Sequence, residues 1–188
     1  MRKLAVITLF LAFVFVPGLG AANIVLNPGF ETGGFSPWVP YGDSDTSVCG
    51  GACAHTGAWG AEIGGNSSGF IPQTLATTPG ADYGLSFWIA DHSDYTGTHA
   101  FEVWWGGNLI HFEGAGGGNA WTRQEFPVTA SGASTDLEFY FHTYSSGYYY
   151  FDDVSVEQVA GGVPEPSSLI LAGLGVAALV LRRRKRAA

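Results

Sequence analysis

The chain has 188 residues, 46% of them hydrophobic, with 28 glycines, many aromatic residues and a formal net charge of −8. Seven of its eight basic residues lie at positions 2–3 and 182–186, so residues 23–162 keep Arg123 as their only Lys or Arg against fifteen acids, a net charge near −14. Such a surface excludes nucleic acid, which is bound by Lys and Arg neutralising phosphate, and disfavours anionic membranes and acidic polymers. Neutral glycans and divalent cations are compatible with it, and a bound cation would relieve part of the self-repulsion.

The chain begins with Arg2 and Lys3, an apolar run over residues 4–16 and the small residues Gly20-Ala21-Ala22. This is the layout of a secretory signal peptide, residues 1–22, cleaved after Ala22 by signal peptidase once the general secretion machinery has engaged it. The run is too short for a good permanent span, and no cysteine near the junction suggests a lipoprotein. Residues 23–162 then have the size of a single domain.

No segment of this module carries a sustained helical period, whereas period-two alternation recurs. Tyr83, Leu85, Phe87 and Ile89 share one face of a predicted strand. Phe101, Val103 and Trp105 repeat the pattern with Glu102 and Trp104 opposite, and Leu137, Phe139 and Phe141 do so with Glu138, Tyr140 and His142 opposite. Phe126 and Val128 mark another strand, and residues 151–156 a last one. Turns rich in Gly, Ser, Asp and Asn separate them. Many short strands with such turns predict an all-β fold, a jelly-roll β-sandwich.

Cys49 and Cys53 bracket Gly50-Gly51-Ala52. In an exported chain the pair is expected to close a small disulfide loop, which stabilises by about 2 kcal/mol in the chain-entropy model. A metal pair with His55 is the alternative, short of the four ligands zinc usually takes.

The outward positions suggest a ligand. Trp and Tyr rings stack on the apolar faces of sugars while neighbouring polar groups bond the hydroxyls. Trp104, Tyr140, His142 and Tyr144, with Glu102 beside them, are the candidate carbohydrate-binding residues. Exposed rings could instead cover a sheet edge or form a self-association patch. Signs of catalysis are weak. Gly65-Asn66-Ser67-Ser68-Gly69 matches the nucleophile-elbow string with no helix after it, and the adjacency of residue types in Asp91-His92-Ser93-Asp94 is no sign of a triad. The start of a calcium loop at Asp43 and Asp45 fails at Val48 and Ala54, where Gly and Glu belong. The module is not expected to be an enzyme.

Three stretches carry a family resemblance: Asn27-Pro28-Gly29-Phe30-Glu31, Gly33-Gly34-Phe35-Ser36-Pro37-Trp38, and Tyr150-Phe151-Asp152-Asp153-Val154-Ser155-Val156. The module resembles the galactose-binding-like jelly roll of carbohydrate-binding modules of the family 4/9 type. That resemblance implies that the first and last strands meet and that a structural calcium sits there, with Glu31 and Asp152 as carboxylate ligands and the Gly29 carbonyl as a backbone ligand. A separate argument agrees. Asp152 has the strand parity of Val154 and Val156, so its carboxylate is expected to point inward, where a lone charge is costly and a hard cation would compensate it; the alternative is a strand-end position at which it is hydrogen-bonded or solvated.

The chain closes with Val163-Pro164-Glu165-Pro166, an apolar run over 167–181 and the basic run 182–186. Fifteen residues make a helix of about 22 Å, a marginal span of a ~30 Å hydrocarbon core. The basic residues would stay on the cytoplasmic side, placing the module across the inner membrane. Residues 163–188 resemble the PEP-CTERM sorting tail, which implies processing by an exosortase-type transpeptidase and delivery to the cell surface or extracellular matrix of a Gram-negative bacterium. Two functions follow: a module that binds a neutral polysaccharide of that matrix, or a structural or adhesive matrix protein that binds no specific sugar.

Overall fold

The computed structural model describes residues 21–42, 45–64, 68–92, 99–114, 118–142 and 147–159. The leader residues 1–20, Asp43, residues 65–67, Ser93, Asp94, Tyr144, the Val163-Pro164-Glu165-Pro166 motif, the expected tail helix and the basic run lie outside the described residues. Within the described residues no helix is long and apolar enough to cross a membrane.

Ten strands are described: β1 (Tyr41–Gly42), β2 (Ser47–Gly50), β3 (Trp59–Gly64), β4 (Ser68–Ala76), β5 (Asp82–Asp91), β6 (Ala100–Trp105), β7 (Asn108–Gly114), β8 (Thr122–Thr129), β9 (Ser134–His142) and β10 (Tyr148–Gln158). They form two five-stranded sheets, β1-β4-β9-β6-β7 and β2-β3-β10-β5-β8, with antiparallel neighbours throughout. This is the all-β jelly-roll sandwich that the alternation predicts.

The inner positions of both sheets meet in an aromatic core. Phe87, Phe101, Phe139 and Phe151 are all fully buried. The rings of Phe139 and Phe151 lie 4.4 Å apart, and Phe87 meets Phe139 edge-on at 5.2 Å. The segment before β1 adds Phe30, 6.0 Å from Phe151, and Trp38, 6.0 Å from Phe139. Asn27 shapes this segment. It occupies the left-handed region at φ 50°, which Asn tolerates better than most residues. Its amide donates to the Gly34 and Ser36 carbonyls, and its own carbonyl accepts from Trp38 Nε1 at 3.1 Å. The chain ends of the module meet as expected: Ile24 N donates to the Val156 carbonyl at 2.9 Å, and Val156 N to Asn23 Oδ1 at 2.9 Å.

One expectation needs correction. Asp152 is fully buried, but it does not share the inward side of Val154. Its strand β10 shifts register against β5 between Asp152 and Ser155, and Asp153 takes φ 51°. A bulge of this kind reverses side-chain parity. Tyr149 and Phe151 face the core before it, and Val154 and Val156 after it. Asp152 therefore lies on the outer side, paired with Trp88, beneath the loop that follows the cysteines.

Phe139 touches the rings of Trp38, Phe87, Phe101 and Phe151. Phe139→Ala should lower the unfolding free energy by about 3–5 kcal/mol, the usual cost of emptying a packed aromatic site. Chemical denaturation measures this, and a loss below about 1 kcal/mol would contradict the packing.

Candidate functional site

Strand β9 pairs with β4 over nine consecutive residues and with β6 over six, without a shift. Paired residues in a sheet project to the same side, so the outer side carries continuous rows. One crosses all five strands: Tyr41 opposes Phe70, Phe70 opposes Tyr140, Tyr140 opposes Glu102, and Glu102 opposes Phe112. At about 4.8 Å per strand the row is about 19 Å long. The neighbouring row runs Pro72, Glu138, Trp104, Leu109, and the other flank holds Ser68, His142 and Ala100.

Four of the five residues expected to bind carbohydrate, Glu102, Trp104, Tyr140 and His142, are thus brought together, each half-buried. The fifth, Tyr144, is outside the described residues. Tyr41 stacks on Phe70 at 4.9 Å, and Phe70 lies 4.7 Å from Tyr140. Phe112 is 58% and Leu109 48% exposed. Tyr41, Phe70, Phe112 and Leu109 are additions that alternation did not reveal.

Polar groups are held among these rings. Trp104 Nε1 donates to Glu102 Oε2 at 2.8 Å, Ser68 Oγ and His142 Nδ1 are hydrogen-bonded, and Thr74 Oγ1 donates to Asp136 Oδ1 at 2.6 Å. Burial, then the charge of Glu138, raises the pKa of Tyr41. No Lys or Arg stands on this face among the described residues. Arg123 lies on β8 in the other sheet, 2.5 Å from Glu125 Oε1. Beside it is a concavity of about 400 Å³ lined by Gly84, Ser86, Glu125 and Glu157. Its own rings, Tyr83 and Phe126, are packed into or against the core, so it offers no exposed aromatic platform.

A second cluster lies outside the other sheet. Cys49 and Cys53 form a disulfide with Cα atoms 5.7 Å apart, fastening the turn Gly51–Cys53 over β3. The main chain is close there: a Cβ on Gly60 would lie 1.9 Å from the Cys53 carbonyl oxygen. The following loop supplies donors to three carboxylates. Asp152 Oδ2 accepts from His55 N at 2.8 Å and Thr56 N at 3.2 Å, and its Oδ1 from Asp153 N at 2.7 Å. Glu31 accepts from Ala58 N and Trp59 N. Asp153 takes Thr56 Oγ1 and lies 2.7 Å from His55 Nδ1. His55 also stacks on Trp88 at 3.8 Å, so it serves this cluster and not the cysteines, whose nearby acidic group is Glu62.

Desolvation raises the Asp152 pKa from 3.8 to about 6, against the opposing pull of its backbone hydrogen bonds. The cluster suits a hard cation in kind. Glu31, Asp152 and Asp153 present oxygens only, and Gly29 adjoins both Asp152 Oδ1 and Asp153 Oδ1, but one oxygen from each of the three does not converge to within 4.8 Å of the others. Asp153 is an addition to the expected set of Gly29, Glu31 and Asp152.

A sandwich with an aromatic, cation-free open face is the architecture of a sugar-binding module. The chain belongs to the CBM_4_9 carbohydrate binding domain family, whose model matches residues 22–147. Residues 162–185 match the PEP-CTERM protein-sorting motif, the mark of an exported, exosortase-processed protein with a membrane-anchoring tail. No curated protein matches the chain. Among solved structures it is similar to TmCBM61 in complex with β-1,4-galactotriose (23% identity, 74% of this chain and 100% of that one, TM-score 0.62). It is also similar to a family 16 carbohydrate-binding module (17%, 71% and 99%, 0.57). A third is the CBM22-1 xylan-binding domain of Xyn10C from Paenibacillus barcinonensis (12%, 78% and 100%, 0.56). These likenesses are of fold, and the domains matched are binding modules and not catalytic ones.

The Asp152 shift has a defined sign. In metal-free buffer the folded state holds this proton more tightly than the unfolded state, so the group favours folding most below pH 3.8 and progressively less as pH rises through about 6. Denaturation of the wild type and Asp152→Asn between about pH 4 and 7 should show the wild type losing stability relative to the variant as pH rises. A difference that stays constant across that window would remove the shift.

Proposed function

We propose that the exported module binds an exopolysaccharide on the outer face of the β1-β4-β9-β6-β7 sheet. The observation that carries this reading is the row Tyr41, Phe70, Tyr140, Glu102, Phe112, continuous across all five strands. The rings offer flat apolar surface to sugar faces, and Glu102, Glu138 and His142 offer hydrogen bonds to hydroxyls. The face is open along the row, which suits a long chain. The sorting tail would hold the protein at the inner membrane until an exosortase acts at the Pro164-Glu165-Pro166 motif, after which the module works at the cell surface or in the matrix. Calorimetry with the purified exopolysaccharide should give measurable affinity, reduced about tenfold or more in Trp104→Ala or Tyr140→Ala, the scale of losing a ring anchor. No affinity in the wild type would favour the alternative, a structural or adhesive matrix protein.

We also propose that calcium occupies the carboxylate cluster, held by Glu31, Asp152, Asp153 and the Gly29 carbonyl. The acceptor-only chemistry of these groups and the place of Gly29 beside both aspartates support it. The ion would neutralise charge and fasten the 55–59 loop to β10. Calcium should raise the melting temperature and a chelator lower it, with Asp152→Asn blunting the response. Coincident melting curves in calcium and chelator would remove the site.

A further inference from the structure

The glycan face has a specific electrostatic feature at its centre. Glu102 stands in the middle of the long row, directly opposite Tyr140 on one side and Phe112 on the other. Directly opposed residues have Cβ atoms about 4.5–5.5 Å apart. Trp104, two residues on, faces the same way and donates its indole N–H to Glu102 Oε2. Among the described residues no hydrogen bond to the other carboxylate oxygen, Oε1, is found beside this one. A carboxylate flanked by the rings of Tyr140 and Phe112 can receive an ammonium group: the oxygen supplies charge and hydrogen bonding, and a π face attracts a cation lying over it, while Trp104 turns its N–H edge to the carboxylate and holds it in place. Half-burial of Glu102 strengthens such a pair relative to open water.

The surroundings bias the site the same way. Glu138 and Asp136 share the face, no described Lys or Arg competes with a ligand cation, and Arg123 is engaged on the opposite sheet by Glu125 and Ser86. A wholly neutral sugar leaves this negative potential unanswered. A uronic or sulfated sugar is repelled by it.

We infer that Glu102, flanked by Tyr140 and Phe112 and held by Trp104, seats the protonated amine of an amino sugar, so that the preferred ligand is a hexosamine polymer with part of its N-acetyl groups removed. This rests on the reading of the face as glycan-binding and deepens it: the apolar rings hold the pyranose chain, and Glu102 selects units that carry a free amine. Acetylation abolishes the charge and with it the selection.

The test compares β-1,4-linked N-acetylglucosamine oligomers with their de-N-acetylated forms by calorimetry, at low and high salt. The de-N-acetylated oligomers should bind about tenfold more tightly at low salt, the range of a cation held by rings and a carboxylate, and the advantage should shrink at high salt. Glu102→Gln keeps an acceptor for Trp104 Nε1 and should bring the affinity ratio close to one. Phe112→Ala, at an exposed position that threatens no core packing, should reduce the ratio about two- to fivefold. Equal affinity for the two forms, or a ratio that survives Glu102→Gln in a protein with unchanged melting temperature, overturns the inference. If the native exopolysaccharide binds but de-N-acetylated oligomers gain nothing, the amine seat fails while the glycan face stands. If no glycan binds, both fail together.

Discussion

The register of β9 is the constraint on which the rest of the molecule depends. Its inner side supplies Leu137, Phe139 and Phe141 to the core, and its outer side sets Glu138, Tyr140 and His142 among the ring and carboxylate rows. Because side chains alternate with a period of two, a slip of one residue would send the phenylalanines to solvent and the polar set into the core. The aromatic packing around Phe139 penalises that slip, so the forces that stabilise the sandwich also position the face. Stability and the proposed binding face share one strand.

The opposite sheet solves a different problem. Its central strand β10 carries two consecutive aspartates in a module with one strong cation, and that cation lies elsewhere. A bulge at Asp153 turns Asp152 away from the phenylalanine core and under a disulfide-fastened loop whose peptide N–H groups meet it. Peptide donors and one imidazole thus do what lysines do in other proteins, and burial of Asp152 still leaves its carboxyl at about 6. The remaining negative charge on both faces disfavours acidic polymers.

Much of this was legible in the sequence because β-strands with one wet face advertise themselves by alternation. The inner and outer sets of β6 and β9 follow directly from it, as do Glu102, Trp104, Tyr140 and His142. Tyr41 escaped because its strand is two residues long and shows no period. Phe112 escaped because β7 shifts register against β6 between Val103 and Trp104, which turns Leu109-Ile110-His111-Phe112 into a run without alternation. Asp152 was judged buried for a parity that the bulge breaks, and its actual cover, the 55–59 loop, is a contact between residues about a hundred positions apart that no local pattern encodes. The targeting segments, by contrast, are read by composition and order alone.

The central claim is that sugar is bound on the outer face of the β1-β4-β9-β6-β7 sheet, in the rows that β9 keeps in register. Residue-resolved NMR of the isotopically labelled protein, titrated with oligosaccharides cut from the native exopolysaccharide, tests it directly. Shifts should concentrate at Tyr41, Phe70, Glu102, Trp104, Phe112 and Tyr140 and leave the other sheet unmoved. Shifts confined to the Arg123 concavity or to the loop over Asp152, or none at saturating ligand, would contradict it.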